Sequence, residues 1–306
     1  MGDFSTGAAI GAGFRLIARE PLAFLAWTLA YLLLGVAPQF GFFAAVMPQW
    51  SQMMQEVAAS GGAHAPMSSA AMVRAQAGMM QLQPLLWLSS LISHTLVLSA
   101  IYRAVLHPQD RGFLYLRLGG RELWLGLSLL VLVVVAFLLC IVAMIPAAIV
   151  AGVTAGLTQD TGTRVLVALA IVLAAGGAVI WVLLRLSMAT PLSFAQNGFR
   201  LYESWDLTRG QAGGMFLVAL ALVAVALVVE LVVGFAILAA MGVTSLDHLP
   251  DWIGSPHFDW SAMAPWAVVG GIVAGIISTA FATLFGAAWA EIYGELTDNT
   301  LPEGAA

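Results

Sequence analysis

Lysine is missing from the chain, and charge of either sign is scarce. The eleven cationic side chains are all arginine, and charged residues make up 9% of the 306 positions against 61% hydrophobic ones. Soluble domains are about 25% charged and roughly 45–50% apolar, so a water-soluble fold is excluded. The net charge of −5 and the lack of a basic stripe exclude a nucleic-acid partner, which needs clustered cations. There is a single cysteine, Cys140, inside an apolar run. It cannot form an internal disulfide, and it reads as a small hydrophobe that says nothing of redox compartment. No GxSxG, Walker, HExxH or CxxC motif occurs, so no catalytic residue and no cofactor is predicted. Ser, His and Asp are present, but nothing groups them, and an intramembrane enzyme is the least supported class.

What the chain has is apolar length. A bilayer core of about 30 Å needs about 20 apolar residues in a helix. Six runs meet this, at 22–47, 85–106, 123–153, 165–188, 215–243 and 265–293. The reading is an all-α integral membrane protein, one polytopic domain over 1–306, with outer excursions at 48–84 and 244–264. Arg15 and Arg19 before the first run also fit a signal peptide. The long region before the run, and Pro38 where cleavage would fall, favour an uncleaved span, kinked at Pro38.

Arginine placement sets the expected orientation. Arg15, Arg19, Arg103, Arg111, Arg117, Arg121, Arg185, Arg200 and Arg209 fall on one side of a six-span arrangement, and Arg74 and Arg164 on the other. The positive-inside rule then puts both termini in the cytoplasm. Outside, Trp50, Met53, Met54 and Val57 repeat at helical spacing and Gly61-Gly62 breaks the run, which predicts a small helical hairpin within 48–84.

Three short segments precede the odd-numbered spans. Residues 3–19 form an amphipathic pattern with Ile10, Gly13, Phe14 and Ile17 on one face. Gln109 to Glu122 is rich in Arg and Tyr. Pro191 to Thr208 reads as one surface helix, with Ala195, Phe199, Tyr202 and Trp205 on its apolar side and Gln196, Arg200 and Glu203 on its wet side. Tyr and Trp suit the headgroup level. Phe199, Tyr202, Trp205, Arg200 and Arg209 are therefore the expected interfacial anchors. Gly13-Phe14-Arg15, Gly112-Phe113 and Gly198-Phe199-Arg200 suggest three hairpins, each preceded by a cytoplasmic interfacial amphipathic segment. Chance recurrence of Gly-Phe is the alternative.

Few polar groups lie within the spans. Glu230 sits mid-span, where a carboxylate costs about 2.5–3.5 kcal/mol on insertion scales. It reads as a proton or cation site, or as a protonated group bonded to a neighbouring helix. His94 falls at comparable depth, so a His–Glu relay is one reading. A helix-packing hydrogen bond through Ser90, Ser93 or Thr95, worth about 1 kcal/mol, is the other. Asp247, His248, Asp251, His257 and Asp259 are metal-ligand types, but their spacing matches no closed site, and no metal is predicted. Gly271, Gly275 and Thr279, then Ser278, Ala282, Gly286 and Ala290, recur at four-residue spacing, as do Ala170, Ala174 and Ala178. Such stripes predict close helix packing, within one chain or with a partner, and a pore lining is the alternative.

The stretch RLSMATPLSFAQNGFRLYESWDLTRGQAGGMFLVALAL, from Arg185, carries Pro191, Ser204-Trp205 and Leu207-Thr208-Arg209-Gly210 ahead of an apolar span. With YRAVLHPQDRGFLYLRLGGREL, Tyr102 to Leu123, it resembles a group of bacterial six-helix inner-membrane proteins without an agreed activity. These look related to the membrane region joined to some glycerophosphodiester phosphodiesterases. The resemblance implies the six-helix fold and a bacterial inner membrane. It carries no catalytic residue, because the soluble catalytic domain of the fused relatives has no counterpart in these 306 residues.

The function expected is non-enzymatic: a lipid-interacting organiser or accessory subunit of a membrane complex. Membrane lipids are the expected partners, with a protein partner or a second copy on the small-residue faces. The alternative is a small-solute or proton-linked transporter or channel using Glu230, with His94.

Overall fold

The computed structural model describes residues 4–46, 69–158, 160–240 and 260–298. They are helical, and no strand occurs among them. The helices are α1 (Thr6–Arg19), α2 (Pro21–Val46), α3 (Ser69–Leu106), α4 (Gly120–Leu157), α5 (Thr161–Leu186), α6 (Ala189–Ala195), α7 (Leu201–Leu207), α8 (Ala212–Ala240) and α9 (Trp260–Asp298). Six of these, α2, α3, α4, α5, α8 and α9, are long and apolar enough to cross a membrane. At about 1.5 Å per residue, each exceeds the roughly 30 Å hydrocarbon thickness. The chain is an all-α, six-span membrane protein. Residues 48–68 of the expected 48–84 excursion and 244–259 of the expected 244–264 excursion lie outside the described residues; from Ser69 and from Trp260 the chain is helix continuous with the span that follows.

Prolines place the first breaks. Pro21 occupies the first turn of α2 and separates it from α1, a position where its missing N–H costs nothing. Pro38 acts differently. Its ring denies the carbonyl of Leu34 a helical partner, and a single π turn at Leu32–Val36 absorbs the mismatch. Ser89 Oγ on α3 donates to that Leu34 carbonyl, as side chains of neighbouring helices do for freed carbonyls in membranes. Pro84, expected at the start of the second span, lies inside α3, which begins at Ser69. Met80, whose carbonyl Pro84 leaves unmatched, is 68% exposed, so the lost bond falls at the helix's polar end.

The chain divides into two compact units. The first contains residues 1–16, 99–221 and 284–306. Its core is built from Ile101, Tyr102, Tyr115, Leu125, Met188, Phe194, Met215, Val218 and Ile292. All the inner-side arginines of the sequence reading except Arg19 belong to it. α1 docks here through Ala9, Ala12, Gly13 and Leu16. That face differs from the expected one: Phe14 points outward at 49% exposure. The Ser5 N–H donates to Glu295 at 2.6 Å, and Arg15 pairs with Glu291 at 3.2 Å. At the α4–α5 turn, Asp160 caps α5 by accepting from the Thr163 N–H at 2.7 Å. The Thr163 hydroxyl and N–H together hold the Asp160 carboxyl below its ordinary range.

The second unit contains residues 17–98 and 222–283, with Ala23, Trp27, Val97 and Leu222 fully covered. Here the glycine stripe of α9 meets α2. A Cβ at Gly271 would overlap the Phe40 ring, and one at Gly275 would overlap Leu32. The missing side chains are what let the helices approach. Thr279 and Thr283 are buried and return their hydroxyls to the carbonyls one turn back. The small-residue stripe of the last span therefore packs within the chain, whereas Ala170, Ala174 and Ala178 on α5 are exposed.

Candidate functional site

The polar groups cluster in the first unit, around Phe194. Tyr102 and Arg103 lie near the end of α3, and both side chains are buried. The Tyr102 hydroxyl shares a 2.7 Å hydrogen bond with Thr190 of α6. Arg103 forms a buried ion pair with Glu122 in the first turn of α4, and donates to the Tyr115 carbonyl at 2.5 Å. Asp110 lies 3.6 Å from its Nε and also accepts from Arg117 at 2.8 Å. The Phe194 ring is the common floor, with the Arg103 guanidinium 5.7 Å and the Arg121 guanidinium 6.0 Å from its centre. His107 lies 6.5 Å from the same ring. Its Nε2 is buried without a hydrogen-bond partner. Burial first, then the charges of Arg121 and Arg103, lowers its pKa, against an opposing pull from Asp110.

This node holds an unusual loop. Phe113, Leu114 and Tyr115 have φ of 46°, 57° and 68°. Three successive non-glycine residues in the left-handed region cost roughly 1–2 kcal/mol each. Such strain persists only where surrounding structure imposes it. Arg103 grips the Tyr115 carbonyl and the Tyr115 side chain is buried, while Phe113 is turned outward at 81% exposure. Leu118 follows at 84%. In the sequence Arg103 bears only on orientation, and Glu122 only closes the segment from Gln109. The signal passed over was an arginine ending an apolar helix, with carboxylates seven and nineteen residues on.

The stretch Pro191 to Thr208 is not one helix. It is two short ones, α6 and α7, parted at Asn197, whose φ is 50°. The break has a local cause: Ser193 accepts twice, its carbonyl from the Gly198 N–H at 3.1 Å and its hydroxyl from the Arg200 N–H at 3.1 Å. Side chains of this kind compete with helical bonding. α6 is buried rather than superficial, from Ala189 to Phe194.

Of the expected anchors, Tyr202 is 83% exposed and Phe199 37%. Arg200 is exposed and pairs with Glu203 at 2.7 Å, an interaction that lowers the Glu203 pKa. Arg209 is exposed. Trp205 turns to the protein instead. Its ring meets Trp181 edge-on at 5.4 Å and carries the Arg185 guanidinium at 4.7 Å. The Ser204 and Thr208 hydroxyls both donate to the Arg185 carbonyl, at 2.9 and 3.1 Å. The three Gly-Phe positions also differ in conformation: mid-helix in α1, entering a left-handed run at Phe113 to Tyr115, and non-helical at 198–199. The recurring dipeptide therefore marks no common local structure.

Glu230 and His94 are not joined. His94 Nδ1 lies 2.8 Å from the Ser90 carbonyl, and its ring meets Tyr31 edge-on at 5.3 Å. The Glu230 side chain is exposed and meets no hydrogen-bond or ionic partner among the described residues. No group of three metal-ligating side chains occurs among those residues, and the acidic loop from Asp247 to Asp259 lies outside them. No family model, no curated protein and no solved structure matches this chain.

Proposed function

We propose that this is a non-enzymatic protein of the bacterial inner membrane, with both termini cytoplasmic, that engages and organises lipid at the inner leaflet, alone or as the accessory subunit of a complex. The observation that carries the reading is the outward display of Phe113, Leu118 and Tyr202, each more than four-fifths exposed, beside Arg111, Arg117 and Arg200. Aromatic and aliphatic side chains flanked by arginine suit the headgroup boundary of an anionic leaflet. The strained loop at 113–115 adds weight, since the fold tolerates its cost while Phe113 remains uncovered.

The test is reconstitution of the full chain into vesicles containing anionic lipid. Wild type is expected to alter vesicle shape or lipid order, and the triple variant Phe113→Ser, Leu118→Ser, Tyr202→Ser to lose that effect while staying folded. Unaltered vesicles with wild type, together with no co-purifying lipid or protein, overturn the reading.

A second reading, proton-linked or solute transport, rests on Glu230 alone: a carboxylate without a partner among the described residues, on an otherwise apolar helix. Flux in liposomes abolished by Glu230→Gln supports it. Flux that survives the change removes Glu230 from any such path.

A further inference from the structure

An open groove of about 630 Å³ lies between α5 and the start of α8, within the usual range of about 300–1,000 Å³ for ligand pockets. Its walls are apolar, and Gly176, Gly177, Trp181, Leu184, Gly213 and Phe216 line most of its length. Both bounding helices are membrane spans, so lipid chains are the surrounding medium. The groove's end distinguishes it from any other dent in a lipid-facing surface.

Leu173, Gly177 and Trp181 form one stripe of α5, and the next residue of that stripe is Arg185. A helical side chain leans toward the helix N-terminus, which here inclines Arg185 back toward the groove. Arg185 is only 7% exposed, its Nε has no hydrogen-bond partner, and no carboxylate pairs with it among the described residues. Its guanidinium rests on Trp205, which in turn abuts the groove residue Trp181. A buried cation without a counter-charge is costly, so this end calls for an anion. The groove also reaches the first residues of α8, Ala212 and Gly213, where free N–H groups and the helix dipole favour negative charge.

We infer that the α5–α8 groove is a binding site for one anionic glycerophospholipid, its acyl chain against Gly176, Gly177 and Phe216 and its phosphate between Arg185 and the α8 N-terminus. This deepens the lipid-organising reading above and rests on it: the exposed loop engages the leaflet in bulk, while the groove holds a single molecule selected by charge. The Ser204 and Thr208 hydroxyls, bonded to the Arg185 carbonyl, fix the α7 segment over this end. Trp205 then keeps the guanidinium in place rather than letting it extend into water.

Native mass spectrometry of the detergent-solubilised full chain, titrated with dioleoyl phosphatidylglycerol or dioleoyl phosphatidylcholine, tests this. Wild type is expected to bind the anionic lipid at least about fivefold more tightly, the ratio corresponding to about 1 kcal/mol per arginine near an anionic surface. Arg185→Gln should weaken binding of the anionic lipid more than that of phosphatidylcholine and so remove the preference, and Arg185→Lys should restore part of it.

Gly177→Leu is the second variant. A Cβ at Gly177 meets nothing within 4 Å, and leucine raises helix propensity, so the protein should fold with its groove filled and bind both lipids weakly. Free glycerol phosphate should not compete, because it lacks the chain. Equal binding of the two lipids by wild type overturns the proposal. So does a preference that survives both Arg185→Gln and Gly177→Leu, or one that glycerol phosphate abolishes. Vesicle reorganisation that persists in the face of any of these outcomes leaves the interfacial reading standing, so the two failures are distinguishable.

Discussion

The seam of the second unit and the node of the first bury helices by opposite means. At the seam, Gly271 and Gly275 remove side chains so that Leu32, Val36 and Phe40 of α2 can lie against the α9 backbone. Nothing there is charged. At the node, Arg103 and Glu122 are each 4% exposed and paired, with Phe194 beneath Arg103 and Arg121. Lipid is as apolar as leucine, so apolar helices gain little by leaving it. They associate through close packing or through polar contacts. The two regions use one device each, and they should fail differently.

The node should fail hardest. Glu122→Leu removes the buried counter-charge of Arg103 and leaves only the more exposed Asp110, 3.6 Å from its Nε; breaking such a pair costs about 3–5 kcal/mol. Denaturant unfolding in micelles should show this as a lower midpoint. The double variant Arg103→Met, Glu122→Leu should recover most of the loss, because replacing both charges with apolar groups is often neutral. It should stay below wild type, since the Tyr115 carbonyl loses its donor and the left-handed loop loses its clamp. A double variant no better than the single would mean that the ion pair itself stabilises the node.

The seam should fail by overpacking. Gly275→Leu forces atoms onto Leu32, at a typical cost of about 1–3 kcal/mol, and with no dependence on salt or pH. Gly176→Leu on α5 serves as the control, because a Cβ there meets nothing within 4 Å. If the two variants unfold alike, the seam is not closely packed. A smaller effect is expected from Ser89→Ala. It strips the Leu34 carbonyl of the hydroxyl that compensates for Pro38, and interhelical bonds of this kind average about 0.6 kcal/mol.

The difference between the regions also explains what could be read from the residues alone. Span number and position were legible because hydropathy and length carry them: the expected 123–153 lies within Gly120–Leu157, and 165–188 closely matches Thr161–Leu186. The glycine stripe of α9 was legible as packing, since four-residue spacing of small residues has few other meanings. The node was not. Arg103 and Glu122 meet across a nineteen-residue separation that no local periodicity encodes, through a loop whose φ values non-glycine residues seldom adopt. The Pro191–Thr208 stretch misled for a related reason. Its amphipathic spacing suits a helix, but Ser193 satisfies the backbone of Gly198 and Arg200 and breaks the run. Trp205, expected to face the headgroups, instead holds Arg185.

The smallest expected effect separates the regions by pH. His107 has its pKa lowered, chiefly by burial and then by Arg121 and Arg103, so the folded protein takes up a proton less readily than the unfolded chain. In the window between the lowered value and the ordinary His value of about 6.5, the unfolded state holds more protons, and stability rises with pH. As pH falls from 7.5, stability is kept until about 6.5, declines through that window, and levels off below the folded pKa. The groups facing His107 are Arg121 from α4, Arg103 from the end of α3 and Asp110 from the loop after it, with Phe194 as an uncharged floor. A single imidazole contributes a slope of at most one proton. His107→Leu should flatten the melting midpoint between pH 7.5 and 5.5, whereas Gly275→Leu should lower it evenly across the same range. A slope unchanged in His107→Leu would assign the pH response to another group.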